Sequence, residues 1–258
     1  MSMEIVSVAR PRDGVAHLAL NRSSARNALS GALIAQLGEC VAEAVRDPAV
    51  RCIVMTGDGR TFSAGADIKE MSANGMDALE VPERAVGWST IENCPKPLIA
   101  AVRGYAFGGG NELAMLADFI LAADDARFGQ PEINIGIFPG DGATQRLTRL
   151  VGRGLAMQMI LSGQPIDAHA ALRAGLVTEI HPAEQLYERA FDIAQVIASK
   201  PPVSLRLAKD AVRAVDAMPL SAGLVYERRL LAFAFTTKDQ KEGMRAFIEK
   251  REPMFDGR

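Results

Sequence analysis

The chain is 258 residues long, 48% hydrophobic and 23% charged, with a formal net charge of -2. That apolar content fills a sizeable core and excludes a disordered chain, and the length fits one large domain with a small appendage. The near balance of charge leaves no broad basic field for a phosphate backbone, so nucleic acid is not an expected partner.

In chain order, Val15–Leu20 alternates like a strand, residues 32–45 are amphipathic like a helix, and Cys52–Thr56 is a short apolar run. Further apolar runs at Leu98–Val102 and residues 119–122 flank residues 108–116, whose glycine-rich start suits a helix entering the core. This order predicts an α/β fold with buried strands. After about residue 143 the pattern is helix after helix, with only residues 176–180 reading as a strand and Pro182, Pro201 and Pro202 marking breaks. Residues 225–235 and 244–248 carry more large apolar side chains than one exposed helix shows to water, so burial against another subunit is expected.

Several chemistries lack their parts. His17, His169 and His181 do not have the spacing of a helical zinc motif and no CxxC pair accompanies them, so no metal site is expected. There is no GxSxG elbow, no GxGxxG after the first strand and no GxxxxGK[ST] loop. Cys40, Cys52 and Cys94 are odd in number and far apart, which reads as reduced thiols in a reducing compartment. No apolar run approaches the roughly 20 residues of a membrane span and the N-terminus lacks the order of a signal peptide, so a cytoplasmic, membrane-free protein is expected.

Two glycine-rich turns remain, each after a β-rich run: FSAGADIKEM at residues 62–71 and GYAFGGGNELAML at residues 104–116. Glycine lets backbone approach a ligand closely, and a helix starting there points free N–H groups outward. If Ala66 and Gly109 supply those donors, the pair forms a pocket for a carbonyl becoming an oxyanion. Glu112 then falls in the first turn of the second helix, close to that pocket, although an acidic residue there equally serves the helix dipole. A third segment, FGQPEINIGIFPGDGATQRL at residues 128–147, sets Glu132 among Pro131, Ile133 and Ile135, a setting that holds a carboxyl near its neutral form; taken alone, Glu132 also reads as a solvated loop residue. Two carboxyls facing one cleft suit general acid and base work.

These segments, with LNRSSARNAL at residues 20–29 and KDQKEGMRAFIEKREPMF at residues 238–255, make the chain resemble the enoyl-CoA hydratase/isomerase, or crotonase, superfamily over residues 5–255. The resemblance implies a spiral of repeated ββα units, placed at residues 1–197, followed by a C-terminal helical region at residues 198–258 that covers the active site or a neighbouring subunit. It also implies a homotrimer or homohexamer and an acyl-CoA thioester substrate, with coenzyme A as part of the substrate and no separate cofactor. By the resemblance, Ala66 and Gly109 donate the oxyanion-hole amides and Glu112 and Glu132 grip one water, with Gly140 beside it. Hydratases carry both glutamates, so the hydratase branch is the expected one: Glu112 activates the water for C3 and Glu132 supplies the C2 proton of a 2-enoyl-CoA.

Asp141 departs from the expected small residue and Leu231 stands where related hydratases often place an aromatic. Asp141 reads as an N-cap of a helix over residues 143–150, or as a group tuning the site. Asp67 reads as a cap of the IKEM helix, and Trp88 as packing. Arg22, Ala64, Lys69, Phe247 and Lys250 are candidate contacts to coenzyme A, with Lys250 reaching from a neighbouring subunit; a surface Lys or Arg is otherwise solvated. The competing readings are an enoyl-CoA isomerase, another acyl-CoA lyase or hydrolase of the superfamily, and a non-catalytic acyl-CoA or RNA-binding relative.

Overall fold

Apolar runs too short for a helix and apolar at every position are buried on both faces, which is the requirement for the middle of a parallel sheet. The computed structural model describes residues 5–258, so residues 1–4, where the predicted core domain and the signal-peptide reading begin, lie outside the described residues. Its main sheet has six strands in the order β1 (Val6–Arg12), β2 (Val15–Leu20), β3 (Cys52–Thr56), β4 (Leu98–Val102), β6 (Phe119–Ala123) and β9 (Glu179–His181). The first pair is antiparallel and every later pair parallel. The predicted strand at residues 176–180 begins later than expected, because Leu176 and Val177 are buried in the turn before it, which Thr178 ties to the Ile120 carbonyl at 2.9 Å.

Side chains alternate across this sheet as a strand's period of two requires. Val15, Cys52, Val54, Ile99, Ala101, Leu121 and Ala123 face helix α7 (Leu186–Ala198), which buries Leu186, Ala190, Phe191 and Ala194 against them. Leu18, Leu20, Ile53, Met55, Leu98, Ala100 and Ala122 face the larger core, shared with helix α1 (Gly31–Arg46). In α1 the Ser30 side chain caps the Leu33 amide at 3.2 Å, and Leu33, Ile34, Leu37, Val41 and Ala44 form its buried stripe.

A second, three-stranded sheet consists of β5 (Tyr105–Phe107), β7 (Arg127–Gly129) and β8 (Ile166–Asp167), and Ser63 bridges in parallel to Ala106 beside it. Each turn of the spiral therefore runs from a long strand of the main sheet to a short strand of the second and then into a helix. β3 leads through Ser63 to α2 (Ile68–Asn74), β4 through β5 to α4 (Gly109–Ala114), and β6 through β7 to a 3-10 helix at Pro131–Ile135. This is the spiral expected from the resemblance, and α3 (Pro82–Glu92) fills the stretch between α2 and β4.

Helices α5 (Ala143–Ser162, bent at Gly152), α6 (Ala168–Ala174), α8 (Pro202–Arg213), α9 (Leu220–Ala234) and α10 (Lys238–Glu249) complete the chain. Beyond Ala198 only Leu207, Thr237, Asp239 and Ala246 are buried. Among the described residues no helix is long and apolar enough to cross a membrane.

Candidate active site

Parallel strands end on a common edge, so segments that follow neighbouring strands arrive side by side. The segments after Ser63, β5 and β7 do so here. The Leu29 amide donates to the Gly65 carbonyl at 2.8 Å and the Asp67 amide to the Leu29 carbonyl at 3.4 Å, which turns the intervening Ala66 N–H away from Leu29. Asn27, fully buried, holds the same turn by donating to the Thr61 and Phe62 carbonyls at 2.9 and 3.2 Å. A Cβ built on Gly109 would lie 3.6 Å from the Ala66 nitrogen and 4.0 Å from Glu112 Oε2, so both predicted amides and one glutamate oxygen border the same point. Among the described residues neither the Ala66 nor the Gly109 N–H donates to a backbone acceptor, and the Gly109 N–H opens helix α4, as the turn reading expects.

The third segment joins through Gly108, whose amide donates to the Gly129 carbonyl at the end of β7 at 2.9 Å. Gly108 has φ of +51°, and a Cβ there would lie 2.9 Å from Glu132 Oε1, so this position needs glycine for its conformation and for its contact. Gly110 is equally constrained, since its Cβ would meet the Ser63 carbonyl oxygen at 2.6 Å.

Glu112 is buried, at 2% exposure, and its Oε1 accepts from the amides of Asp141 at 2.9 Å and Ala143 at 2.8 Å. It is thus not merely an acidic group at the start of its own helix: it closes the open end of α5. Burial pushes its carboxyl up to about 7, against the pull of the Ala143 amide, and the carboxylates of Asp141 and Glu132 raise it further. Glu132, half-buried rather than solvated, is also pushed up to about 7, by burial first and by Asp141. Two residues missed in the sequence steady it. With its amide turned to satisfy its neighbours, buried Gln130 donates to Glu132 Oε1 at 2.9 Å and accepts from Asn111 Nδ2 at 3.1 Å. The signal available was polar residues inside two otherwise buried segments.

Asp141 corrects one expectation. Helix α5 is capped not by its side chain but by the left-handed Gly142, with φ of +117°, while the Asp141 carboxylate pairs with Arg84 of α3 at 2.5 Å. The helix begins at Ala143 as expected, so the cap position falls on Gly142 and not on Asp141, one residue before it. Asp67 does cap α2, accepting from Lys69 N at 3.1 Å and Glu70 N at 3.3 Å, and it also binds Arg22 at 2.6 Å. Trp88 packs on the main core as expected.

The sequence profile described as "Enoyl-CoA hydratase/isomerase" matches residues 10–258. The chain belongs to the enoyl-CoA hydratase/isomerase family. It is 45% identical to the 2,3-dehydroadipyl-CoA hydratase of Escherichia coli K12 over 241 residues, 93% of this chain and 94% of that one. To the mitochondrial enoyl-CoA hydratase of Pongo abelii it is 48% identical over 236 residues, 92% of this chain and 81% of the other. A solved enoyl-CoA hydratase subunit of Geobacillus kaustophilus superposes with a TM-score of 0.93 at 40% identity, covering 98% of each chain.

The remaining candidates of this family member are spread more widely. Arg22, half-buried, lies beside the Ala66 turn through its pair with Asp67, and Ala64 and Lys69 are exposed on the same segment. Gly140 is exposed next to Asp141. Phe247, 86% exposed, and Lys250, the left-handed C-cap of α10, form no hydrogen bond or ion pair with the glutamate site among the described residues. Leu231 in α9 is 48% exposed.

Proposed function

We propose that the protein is an enoyl-CoA hydratase, adding water reversibly to a 2-enoyl-CoA to give a 3-hydroxyacyl-CoA. The observation that carries this reading is the convergence of two undonated amides, Ala66 and Gly109, with Glu112 and Glu132 around the Gly108–Gly109 backbone. A thioester oxygen placed between the amides gains two donors as its carbonyl becomes an enolate. Glu112 Oε1 is already occupied by two amides, so Oε2 is the oxygen that faces a substrate water.

The water oxygen forms its bond to C3 while its proton passes to Glu112, the electrons of the double bond move onto the thioester enolate, and Glu132 gives its proton to C2. Carboxyls pushed up to about 7 suit this division, because each can take up or release a proton near neutral pH. Coenzyme A enters as part of the substrate, with Arg22, Ala64 and Lys69 of one subunit and Phe247 and Lys250 of a neighbour as its contacts.

The same reading divides the chain at residues 197 and 198 into a spiral core and a helical region that buries its exposed apolar faces in a homotrimer or homohexamer, in the cytoplasm. Turnover in ¹⁸O-labelled water tests the chemistry: the label is expected on C3 of a 3-hydroxyacyl product. An unlabelled enoyl product of unchanged mass would establish an isomerase instead.

A further inference from the structure

The Asp141 carboxylate sits where three elements meet. Its own turn, residues 139–143, supplies the two amides that hold Glu112 Oε1. From α3, Arg84 Nη2 donates to Asp141 Oδ2 at 2.5 Å, while Arg84 Nη1 donates to the Leu79 carbonyl at 3.3 Å and the guanidinium lies 5.5 Å from the centre of the Trp88 ring. From α5, Arg146 Nη1 donates to the Asp141 carbonyl at 3.0 Å, and its other nitrogen is taken by Glu92.

Arg84 is 5% exposed. A guanidinium that far from water is costly unless its donors are met, and packing alone would be served as well by an apolar side chain. Here its charge is delivered to one carboxylate, which itself stands close enough to act on both Glu112 and Glu132. The charged groups around the pair are therefore Asp141 from the turn, Arg84 from α3, and Arg146 from α5 acting through a backbone carbonyl.

We propose that Arg84 is a positioning residue for the glutamate pair: by holding Asp141 it fixes the 139–143 turn whose amides grip Glu112, and it balances the third carboxylate of the cleft. The inference rests on the hydratase reading for its kinetic consequence, but its direct test does not need turnover. Arg84→Met, Arg84→Lys, Asp141→Asn and the double variant Arg84→Met with Asp141→Asn would be titrated by ¹³C-carboxyl NMR at Glu112 and Glu132, alongside the pH profile of kcat/KM.

In Arg84→Met an unbalanced Asp141 disfavours a second charge beside it, so the glutamate titrations and the acid limb of the profile move to higher pH, by about one unit. Turnover falls roughly tenfold or more as the base loses its orientation, with KM nearly unchanged. Asp141→Asn moves both titrations to lower pH, the double variant returns toward wild type, and Arg84→Lys, which keeps the cation, keeps the wild-type limb. Titrations of Arg84→Met and Asp141→Asn that superimpose on wild type would overturn the proposal, whatever happens to turnover. Should Arg84→Met fail to fold, the Asp141→Asn titration decides alone. A wild-type enzyme that hydrates no enoyl-CoA would remove the functional reading and leave the titration to decide this one.

Discussion

Residues 5–198 and residues 202–258 differ in how far they bury their own apolar side chains. In the first region the strands with α1 and α7 bury two apolar cores within the same chain, while Val86, Phe138 and Leu161 stay exposed outside them. In the second, Leu220 is 77%, Ile248 79% and Phe247 86% exposed, and helix α9 buries nothing. Exposed apolar side chains gathered on such helices are what an interaction surface would use. The contrast teaches that the glutamates and the Ala66 and Gly109 turns stand on the region with its own core, while the helices that follow carry apolar side chains with no partner in this chain.

The sharpest way to break that division is to strike the glutamates. Glu112→Gln and Glu132→Gln are each expected to lower hydration by about 10² to 10⁴-fold, and the double variant by much less than the product, since both act on one transition state. Steady-state assays that find either variant fully active would remove the site from the first region. Next in size, Gly109→Pro deletes one oxyanion donor and is expected to cost at least about a hundredfold in kcat. In a folded protein, unchanged turnover would mean that the Gly109 amide donates nothing.

For the second region the expected effect is read first in mass. Leu220→Asp combined with Ile248→Asp places two charges on the exposed faces and is expected to shift light scattering from trimer or hexamer toward monomer. A wild-type protein that is already monomeric at micromolar concentration would show that these helices serve no second copy.

The smallest effect concerns stability. Because the Glu112 carboxyl is raised from 4.5 to about 7, its contribution is fully present below about 4.5 and is lost as pH rises through about 7. Glu112→Gln cannot ionise, so near pH 8 it is expected to melt roughly 7–14 °C above wild type, a gap that closes as pH falls. Equal melting at both ends of that range would mean that the buried carboxyl costs the fold nothing.

The central strands of the main sheet were legible because they are largely buried: Val15–Leu20, Cys52–Thr56 and Leu98–Val102 stand at the bounds their apolar runs define, whereas the partly exposed edge strand Val6–Arg12 gave no such run. The short strands Tyr105–Phe107 and Arg127–Gly129 were not separately visible, since three residues carry no period, yet their pairing is what brings Gly108 to Glu132. Ala66, Gly109 and Glu112 were legible as residue types in glycine-rich turns and Glu132 from its apolar neighbours in a third segment, and the structure brings all four together. Arg84 was not, because its partner lies 57 residues away and its own helix gives no sign of facing a carboxylate. Gln130 escaped for a related reason: a lone amide after a strand looks like surface until its neighbours are in place.

Trp88 is the only tryptophan of the chain, half-buried beneath Arg84, and among the described residues its indole N–H meets no acceptor. Its emission therefore comes from a single place, one cation away from Asp141 and the turn that holds Glu112. Any ligand that shifts that turn alters the electric field on the indole, so the intrinsic fluorescence of the unlabelled protein offers an optical readout of occupancy, with no second fluorophore of its kind to dilute the signal.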